Sequence, residues 1–492
     1  MDEPSLEEVR RKAKDLGYPC IIPMVRVLGA ERTPAEVYAV LRQERGYSFL
    51  LESAELGEKI ARYSFLGSSP DAVFRLKDGD AETGGDRKKV DKPIEELRKL
   101  IKGYKLFQGG RRLPSFAGGL LGYFSYDFIR YIEDIPRDTL DDLGHLDAEF
   151  ILVKDLIAFD HWREEVLVIS NLLLHDETEV EAKYTEGVES LDDLVGIVKR
   201  ARPIKRKKGG NAGLEVSSNF AKKDFMRAVE KAKEYIFAGD IFQVVISQRF
   251  SCSPRAEPMD IYLSLKEVNP SPYMYFLEFG DLKIIGSSPE VLVKADGEKI
   301  VVRPIAGTRP RGKDAVEDEA LTLDMLNDPK ERAEHVMLVD LGRNDVGKVA
   351  RFGSVIVDEF MSIERYSHVQ HIVSNVTGVL QEDKDMFDAF EACFPAGTVS
   401  GAPKVRAMEI IDELEPTRRG IYAGAVGYFS FSMNMDFAIA IRTIVMQQGA
   451  AYVQTGAGIV ADSVPEREYM ESVNKGKGLI RAIEKAEGGD EE

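Results

Sequence analysis

The residues in this sequence whose types and spacing could do chemistry are, first, two pairs of glutamates. Glu331 and Glu334 lie three apart in ERAEHVMLVDLGRND, and Glu468 and Glu471 lie three apart in DSVPEREYMES. Three apart is one face of a helix. Two helices that each offer a carboxylate pair make a set of hard oxygen ligands. Such a set suits Mg2+, which keeps several waters and takes one or two carboxylates plus an anionic substrate. Zinc is disfavoured: no cysteine is near, and His335 is the one histidine beside either pair. Each pair taken singly reads as the wet side of a helix in a chain rich in glutamate. Ser463 and Glu466 form an S-x-x-E capping pattern with Pro465 in the first turn, so Glu466 is read as structural, unlike Glu468 and Glu471.

Nearby stretches favour an anion pocket. FPAGTVSGAP, residues 394–403, is a Gly/Ser/Thr loop running into a helix start, where backbone N–H groups and hydroxyls can face an anion. VRPIAGTRPRG and QTGAGIV are two more glycine-containing stretches beside strands; each alone reads as a tight turn. Arg442 is read as mid-strand among apolar residues, where a cation needs a carboxylate from protein or ligand. Together these describe a pocket for a small, multiply carboxylated molecule.

The elements that position these residues are patterned as α+β. A helix is expected over 220–238, closed by Gly239, followed by the strand IFQVVISQRF. YMYFLEF, VLVKA, KIVVRPI, IYAGAVGYFSF, DFAIAIRTIV and AYVQTGAGIV read as further strands. Helices are expected over about 316–341, 383–393 and Ser400–Glu415, and from Ser463 onward. Strands come in runs without regular β-α-β alternation, so the sheets should be mostly antiparallel. The basic stretch 198–213, VKRARPIKRKKGGNAG, marks a linker between an N-terminal part (18–197) and a C-terminal part (214–485).

A chain of 492 residues can build a large core. Its formal charge of −18 argues against nucleic-acid and anionic-membrane partners. Cys20, Cys252 and Cys393 are too few and too scattered for a disulfide framework, and no apolar run is long enough to span a membrane; a cytoplasmic setting is expected.

The stretches LLESAE, RYSFLG, NPSPYMYF, GSSPE, RPIAGTRPRG, ERAEHVMLVDLGRNDVG, FPAGTVSGAPKVRAMEIIDELEP, RGIYAGAVGY, AIAIRT and GAGIVADSVPEREY, spread over about 48–475, resemble the component I (large) chains of anthranilate synthase, within the chorismate-utilising enzyme family. The resemblance implies two antiparallel sheets packed on each other with helices outside. It implies synthesis of anthranilate and pyruvate from chorismate and ammonia, the first committed step of tryptophan biosynthesis. It also implies Mg2+, held most directly by Glu334 and Glu471 with Glu331 and Glu468 beside them. Thr398 and the backbone around Gly456 and Gly458 would line the site. Tyr422 and Arg442 would hold the enolpyruvyl carboxylate, and Gly307 would lie against the ring. Glu290 is the candidate acid for the leaving hydroxyl, and His371 is placed to assist loss of pyruvate.

Two positions separate activities within the resemblance. Water-adding relatives carry a lysine where this chain has Gln243, which is counted here among the substrate contacts. Relatives making aminodeoxychorismate typically read P-I-K-G-T, whereas this chain reads PIAGT with Ala306. Both point to direct attack by ammonia. None of the cysteines sits in a turn like that of a glutamine-hydrolysing nucleophile, so a separate glutamine amidotransferase chain (component II) is expected, in a heterotetramer. The resemblance further implies tryptophan feedback at a pocket in which Glu52 and Ser53 meet the ligand's polar groups, helped by Arg62, while Pro272, Tyr273, Met274 and Tyr428 enclose the indole. The alternatives are aminodeoxychorismate synthase component I and, in a different class, a non-catalytic tryptophan- or chorismate-binding regulator.

Overall fold

The computed structural model describes residues 4–44, 46–53, 62–109, 113–206, 213–366 and 369–488. Among these, twenty-five strands form two sheets. The thirteen-stranded sheet runs Ser217–Ser218, Gln243–Cys252, Ala450–Ile459, Thr443–Gln447, Leu282–Ser288, Tyr273–Phe279, Tyr47–Glu52, Tyr63–Ser68, Asp155–Asp160, Glu165–Leu174, Cys20–Gly29 and Lys105–Leu106, with Gly401–Ala402 added on the Gln243 strand. The twelve-stranded sheet runs Ile305–Pro310, Val369–Val379, Lys299–Val302, Val291–Asp296, Met435–Ile439, Ala425–Ser430, Gly119–Phe124, Ala148–Val153, Ala72–Lys77, Asp80–Thr83 and Asp86–Lys89, with Ile356–Arg365 added on Val369–Val379. Among the described strands, every pairing but that of Cys20–Gly29 with Lys105–Leu106 is antiparallel. The α+β reading and the two-sheet expectation hold.

Period-two alternation sorts side chains between three cores. Between the sheets lie Phe49, Phe65, Tyr275 and Leu277 from one and Leu121, Tyr123, Val426 and Tyr428 from the other. The outer face of the first sheet, including Met24, Leu172 and Phe276, is covered by Val180–Arg200, Pro258–Val268 and the C-terminal helix Pro465–Ala486. On the second sheet, Phe429 and Phe437 meet Phe387 and Phe390 of the helix Met386–Cys393 at 4.3 and 4.9 Å between ring centroids.

Both sheets contain strands from the N-terminal and the C-terminal part. Met274–Phe279 pairs with Tyr47–Glu52, and Ala425–Ser430 pairs with Gly119–Phe124. Within the expected linker, 198–200 complete the helix Val180–Arg200, and 207–212 lie outside the described residues.

Several boundaries differ from the sequence reading. KIVVRPI is strand only over Lys299–Val302, with Pro304 separating it from the next strand, Ile305–Pro310. The helices expected over 220–238 and 383–393 start at Lys222 and Met386. The expected helix 316–341 is two helices, Ala315–Asn327 and Pro329–Gly347. Pro329 keeps Asp328 extended, and the Asp328 carboxylate then caps the second helix by accepting from Lys330 and Glu331 N–H. The helix expected from Ser400 starts at Lys404, with Pro403 as its N-cap. IYAGAVGYFSF is strand only over Ala425–Ser430. DFAIAIRTIV is two strands, Met435–Ile439 in one sheet and Thr443–Gln447 in the other. Arg442 therefore is not mid-strand. It sits in the passage between the sheets, in the left-handed backbone region with φ 51°.

The capping box at Ser463 is also corrected. The last helix begins at Pro465 with Val464 as N-cap and no side-chain cap. Ser463 Oγ accepts from Val460 N–H instead, and Glu466 pairs with Lys222 at 2.6 Å on the surface.

Candidate active site

The two glutamate pairs lie on Pro329–Gly347 and Pro465–Ala486. Glu331 Oε1 accepts from Arg309 at 3.1 Å, and Glu334 Oε1 accepts from Gln243 Nε2 at 3.3 Å. Glu468 is buried, at 7% exposure, while Glu471 pairs with Lys475 one turn on at 2.7 Å. Burial raises the Glu334 carboxyl above its ordinary range and Glu331 adds to the rise; Gln243, Lys330 and Lys475 oppose it. Burial likewise raises Glu468, with Glu471 adding and Ser463, Lys330 and Lys475 opposing. Lys330 thus acts on Glu468 of the other helix, and Lys475 on Glu334.

These residues fit a hard divalent cation by donor chemistry: carboxylates whose mutual repulsion a cation relieves, with Lys475 already neutralising one. Among the described residues no group of three or more His, Cys, Asp or Glu side chains comes together closely enough to hold a metal ion by itself. Mg2+ does not need one, since waters and an anionic substrate complete its shell.

The Gln243 strand supplies the floor. Gln243 is buried, its Nε2 is committed to Glu334, and its Oε1 has no partner. A Cβ on Gly458 would fall 2.4 Å from Gln243 Nε2, so glycine is what lets the amide lie there. The loop 394–403 joins the same strand: Gly401 and Ala402 pair with Val244 and Gln243, and Val245 N–H donates to the Ser400 carbonyl. This brings Thr398 to Glu290. Glu290 is buried, and burial pushes its carboxyl up to about 8; the Thr398 hydroxyl beside it tempers the rise without reaching good hydrogen-bond geometry. Gln243 Oε1 and Thr398 Oγ1 are buried polar atoms that no group among the described residues satisfies, which calls for a ligand or water.

His371 faces the site from the second sheet. Its Nδ1 donates to the Gly307 carbonyl at 2.9 Å, with Thr308 Oγ1 at 3.1 Å. A carbonyl only accepts, so Nδ1 carries the hydrogen and Nε2 keeps its lone pair. Burial lowers the imidazole from its ordinary range; the Gly307 bond and Glu364 pull back and Arg442 adds to the fall. The ring is therefore a neutral base at pH 7. Gly307 has φ 68°, and a Cβ there would crowd Met325, Glu331 and Ile372 at 3.2–3.3 Å.

Arg442 donates Nη1 to the Lys475 carbonyl at 2.8 Å, and among the described residues no carboxylate pairs with it. Burial lowers its guanidinium, opposed by Tyr422. Tyr422 is buried; burial and Glu415 raise its hydroxyl to about 12, against Arg419 and Arg442. Its hydroxyl would be 3.1 Å from a Cβ on Gly456, whose carbonyl accepts from Lys475 Nζ at 3.1 Å. Lys475 was missed in the sequence. It links Glu471, Gly456 and, through its carbonyl, Arg442; the signal was the Glu471–Lys475 spacing of four. Arg309, quoted within RPIAGTRPRG without a role, also holds Asp324 at 2.9 Å and Asp328 at 3.3 Å.

The residues assigned to tryptophan are arranged differently from expectation. The Glu52 carboxylate already accepts from Tyr262 Oη and from Lys266 at 2.9 Å, and Arg62 pairs with Asp160 at 2.8 Å. Met274 lies opposite Glu52 and packs on the helix-covered face, while Tyr273 and Tyr428 point between the sheets. Strand alternation is the reason: neighbours 273 and 274 cannot share a face. Pro272 and Tyr273 line a cavity together with Lys294, Arg303, Tyr366 and Asp436, and Met274 is not in its wall. Ser53 Oγ is buried without a partner. Residues 54–61, between Ser53 and Arg62, lie outside the described residues.

A family model described as chorismate binding enzyme matches residues 82–481. Anthranilate synthase component 1 of Acetivibrio thermocellus is 47% identical, covering 98% of this chain and 99% of its own. Aminodeoxychorismate synthase component 1 of Bacillus subtilis is 45% identical, over 91% and 94%. The crystal structure of anthranilate synthase component I from Streptococcus pneumoniae superposes with a TM-score of 0.77 at 40% identity, covering 86% of this chain and 93% of that one.

Proposed function

The chain belongs to the chorismate binding enzyme family, and from that premise we propose that it converts chorismate and ammonia to anthranilate and pyruvate. The observation that carries this reading is Gln243. At the position where water-adding relatives have a lysine, this chain has a neutral amide tied to Glu334, with a free acceptor oxygen. An acceptor can orient ammonia but cannot deprotonate water. Ala306 likewise offers no amine for a covalent route. The aminodeoxychorismate reading has the Bacillus subtilis relative in its favour and Ala306 against it.

In the first step ammonia bonds to ring C2, both ring double bonds shift by one position, the C4 hydroxyl leaves as water, and the new ammonium at C2 releases its extra proton, which restores the acid form of Glu290. Glu290, kept protonated by burial, gives that hydroxyl its proton. In the second, His371 Nε2 takes the C2 proton, the C3–oxygen bond breaks as the ring becomes aromatic, and the enolate that leaves takes up a proton to become pyruvate, so no net proton is gained or lost. Arg442 and Tyr422 hold the enolpyruvyl carboxylate; the absence of a protein carboxylate on Arg442 among the described residues supports this. Mg2+, when bound through Glu334 and Glu471 with Glu331 and Glu468 beside them, would neutralise the ring carboxylate and fix its orientation.

Ammonia would come from a separate glutamine-hydrolysing chain. Burial raises all three thiols, Cys252 to about 11 and Cys393 to about 12, so none is poised to attack glutamine. Tryptophan feedback belongs to the same reading, and the unpartnered, buried Ser53 hydroxyl supports it. The test is the purified chain with chorismate, Mg2+ and ammonium. Anthranilate fluorescence should develop with ammonium and not with glutamine alone. Accumulation of aminodeoxychorismate in its place would decide for the alternative.

A further inference from the structure

His371 stands between two strands. Thr308 is its cross-strand neighbour on one side and Glu364 on the other. Its contacts through Nδ1 all lie on the Thr308 side, at Gly307 and Thr308. One anchored nitrogen fixes the tautomer but leaves the ring free to swing about that point. On the other side the ring of Tyr366 meets the imidazole edge-to-face, 5.5 Å between centroids at 60°. Tyr366 is itself held. Its hydroxyl donates to Glu364 at 2.7 Å, its N–H donates to the Val369 carbonyl at 2.8 Å, and its carbonyl accepts from Arg311 at 2.8 Å. Arg303 closes the chain with an ion pair to Glu364.

We propose that Tyr366, braced by Glu364 and Arg303, is a positioning residue that fixes the His371 ring for proton removal in the second step. The proposal rests on the reading of His371 given above. Tyr366 acts through the imidazole and not on the substrate. The aromatic pair supplies the second point of contact that a directed Nε2 lone pair requires. Glu364 and Arg303 hold the tyrosine from the cavity side, where Arg303, Glu364 and Tyr366 share a wall with Pro272 and Tyr273.

The experiment is a double-mutant cycle in the ammonia-driven assay, with chromatography of anthranilate and aminodeoxyisochorismate. Tyr366→Ala should shift the product ratio toward the intermediate by about tenfold or more, approaching the roughly 100-fold that a misplacement of order 1 Å can cost. In a His371→Ala background the same change should add nothing. Tyr366→Phe keeps the ring and should recover most of the ratio. Glu364→Gln, which leaves the fold's backbone contacts intact, should give a smaller shift in the same direction and serves if Tyr366→Ala does not fold. Equal slowing of both steps by Tyr366→Ala, or an undiminished loss in the His371→Ala background, would overturn the proposal. If His371→Ala itself leaves the ratio unchanged, the role of His371 falls first, and that outcome is separable from a failure of Tyr366 alone.

Discussion

Gln243 Nε2 lies 3.3 Å from Glu334 Oε1, and this one contact decides which way the buried amide points. With its donor turned to the carboxylate, its acceptor faces the site with no protein partner. A carboxylate raised by burial and a neutral amide thus meet where a basic side chain would have changed the nucleophile.

Glu334→Gln keeps a partner for Gln243, so the fold should persist with an unchanged melting temperature. Turnover in a Mg2+-dependent assay should fall by more than the about 10–100-fold that loss of a supporting partner costs. Glu471→Gln should behave alike. Steady-state rates across a Mg2+ titration are the measurement, and normal activity with normal metal dependence in Glu334→Gln would remove the ligand assignment.

The acid role of Glu290 predicts a pH limb. Expressed per free ammonia, because protonation removes the nucleophile as pH falls, ammonia addition should be full well below pH 8 and fall as pH rises through about 8. Stability should follow the same sign. The folded state holds this proton up to about 8 while the unfolded chain releases it near 4.5, so the carboxyl's contribution is complete below 4.5 and lost as pH rises through 8. Glu290→Gln should abolish the first step and flatten that part of the melting-temperature profile. An unaltered rate profile in the variant would reject the assignment.

Arg442→Met should raise KM for chorismate and lower kcat/KM by about 10–100-fold, the worth of a hydrogen-bonded charge. The melting temperature should hold or rise, because a half-buried cation that pairs with no carboxylate among the described residues is removed and both side chains tolerate φ 51° equally poorly. A marked loss of stability with unchanged KM would make Arg442 a structural residue.

Tryptophan should bind the chain and weaken chorismate binding, and chorismate must weaken tryptophan binding by the same factor. Ser53→Phe should fill the space at the unpartnered hydroxyl and leave an active, insensitive enzyme. Since Glu52 is tied to Tyr262 and Lys266, binding should require that contact to open, so Tyr262→Phe should tighten tryptophan binding without altering ammonia-driven turnover. Calorimetry with and without chorismate checks this, and no detectable heat would end the regulatory reading.

Of the candidate site, the glutamates three apart and the glycine-rich stretches carry local signals, whereas Glu290, His371 and Gln243 stand out only through the family resemblance, since a single buried acid, histidine or amide has no pattern of its own. Boundaries were misread wherever a proline followed the cap. Asp328 and Val464 both precede proline and are held extended, so each ends what precedes it and starts the helix at the proline. Ser463 was one residue too early to cap. DFAIAIRTIV could not show its break, since an apolar run has no period to interrupt, and only the left-handed Arg442 marks the change of sheet. The face that each tryptophan candidate takes was likewise not legible from the motif, since Tyr273 and Met274 are adjacent on one strand and alternate between the sheets' interior and the helix-covered face.

The ladders that join Met274–Phe279 to Tyr47–Glu52 and Ala425–Ser430 to Gly119–Phe124 carry a consequence for how this chain can be divided or inherited. Separating residues 18–197 from 214–485 would open both sheets through their middles and create four bare edges, each a template for aggregation. The two halves are therefore not exchangeable modules. A hybrid that takes its first half from one relative and its second from another must match two strand interfaces at once, and co-expressed halves should assemble with each other before either is soluble alone.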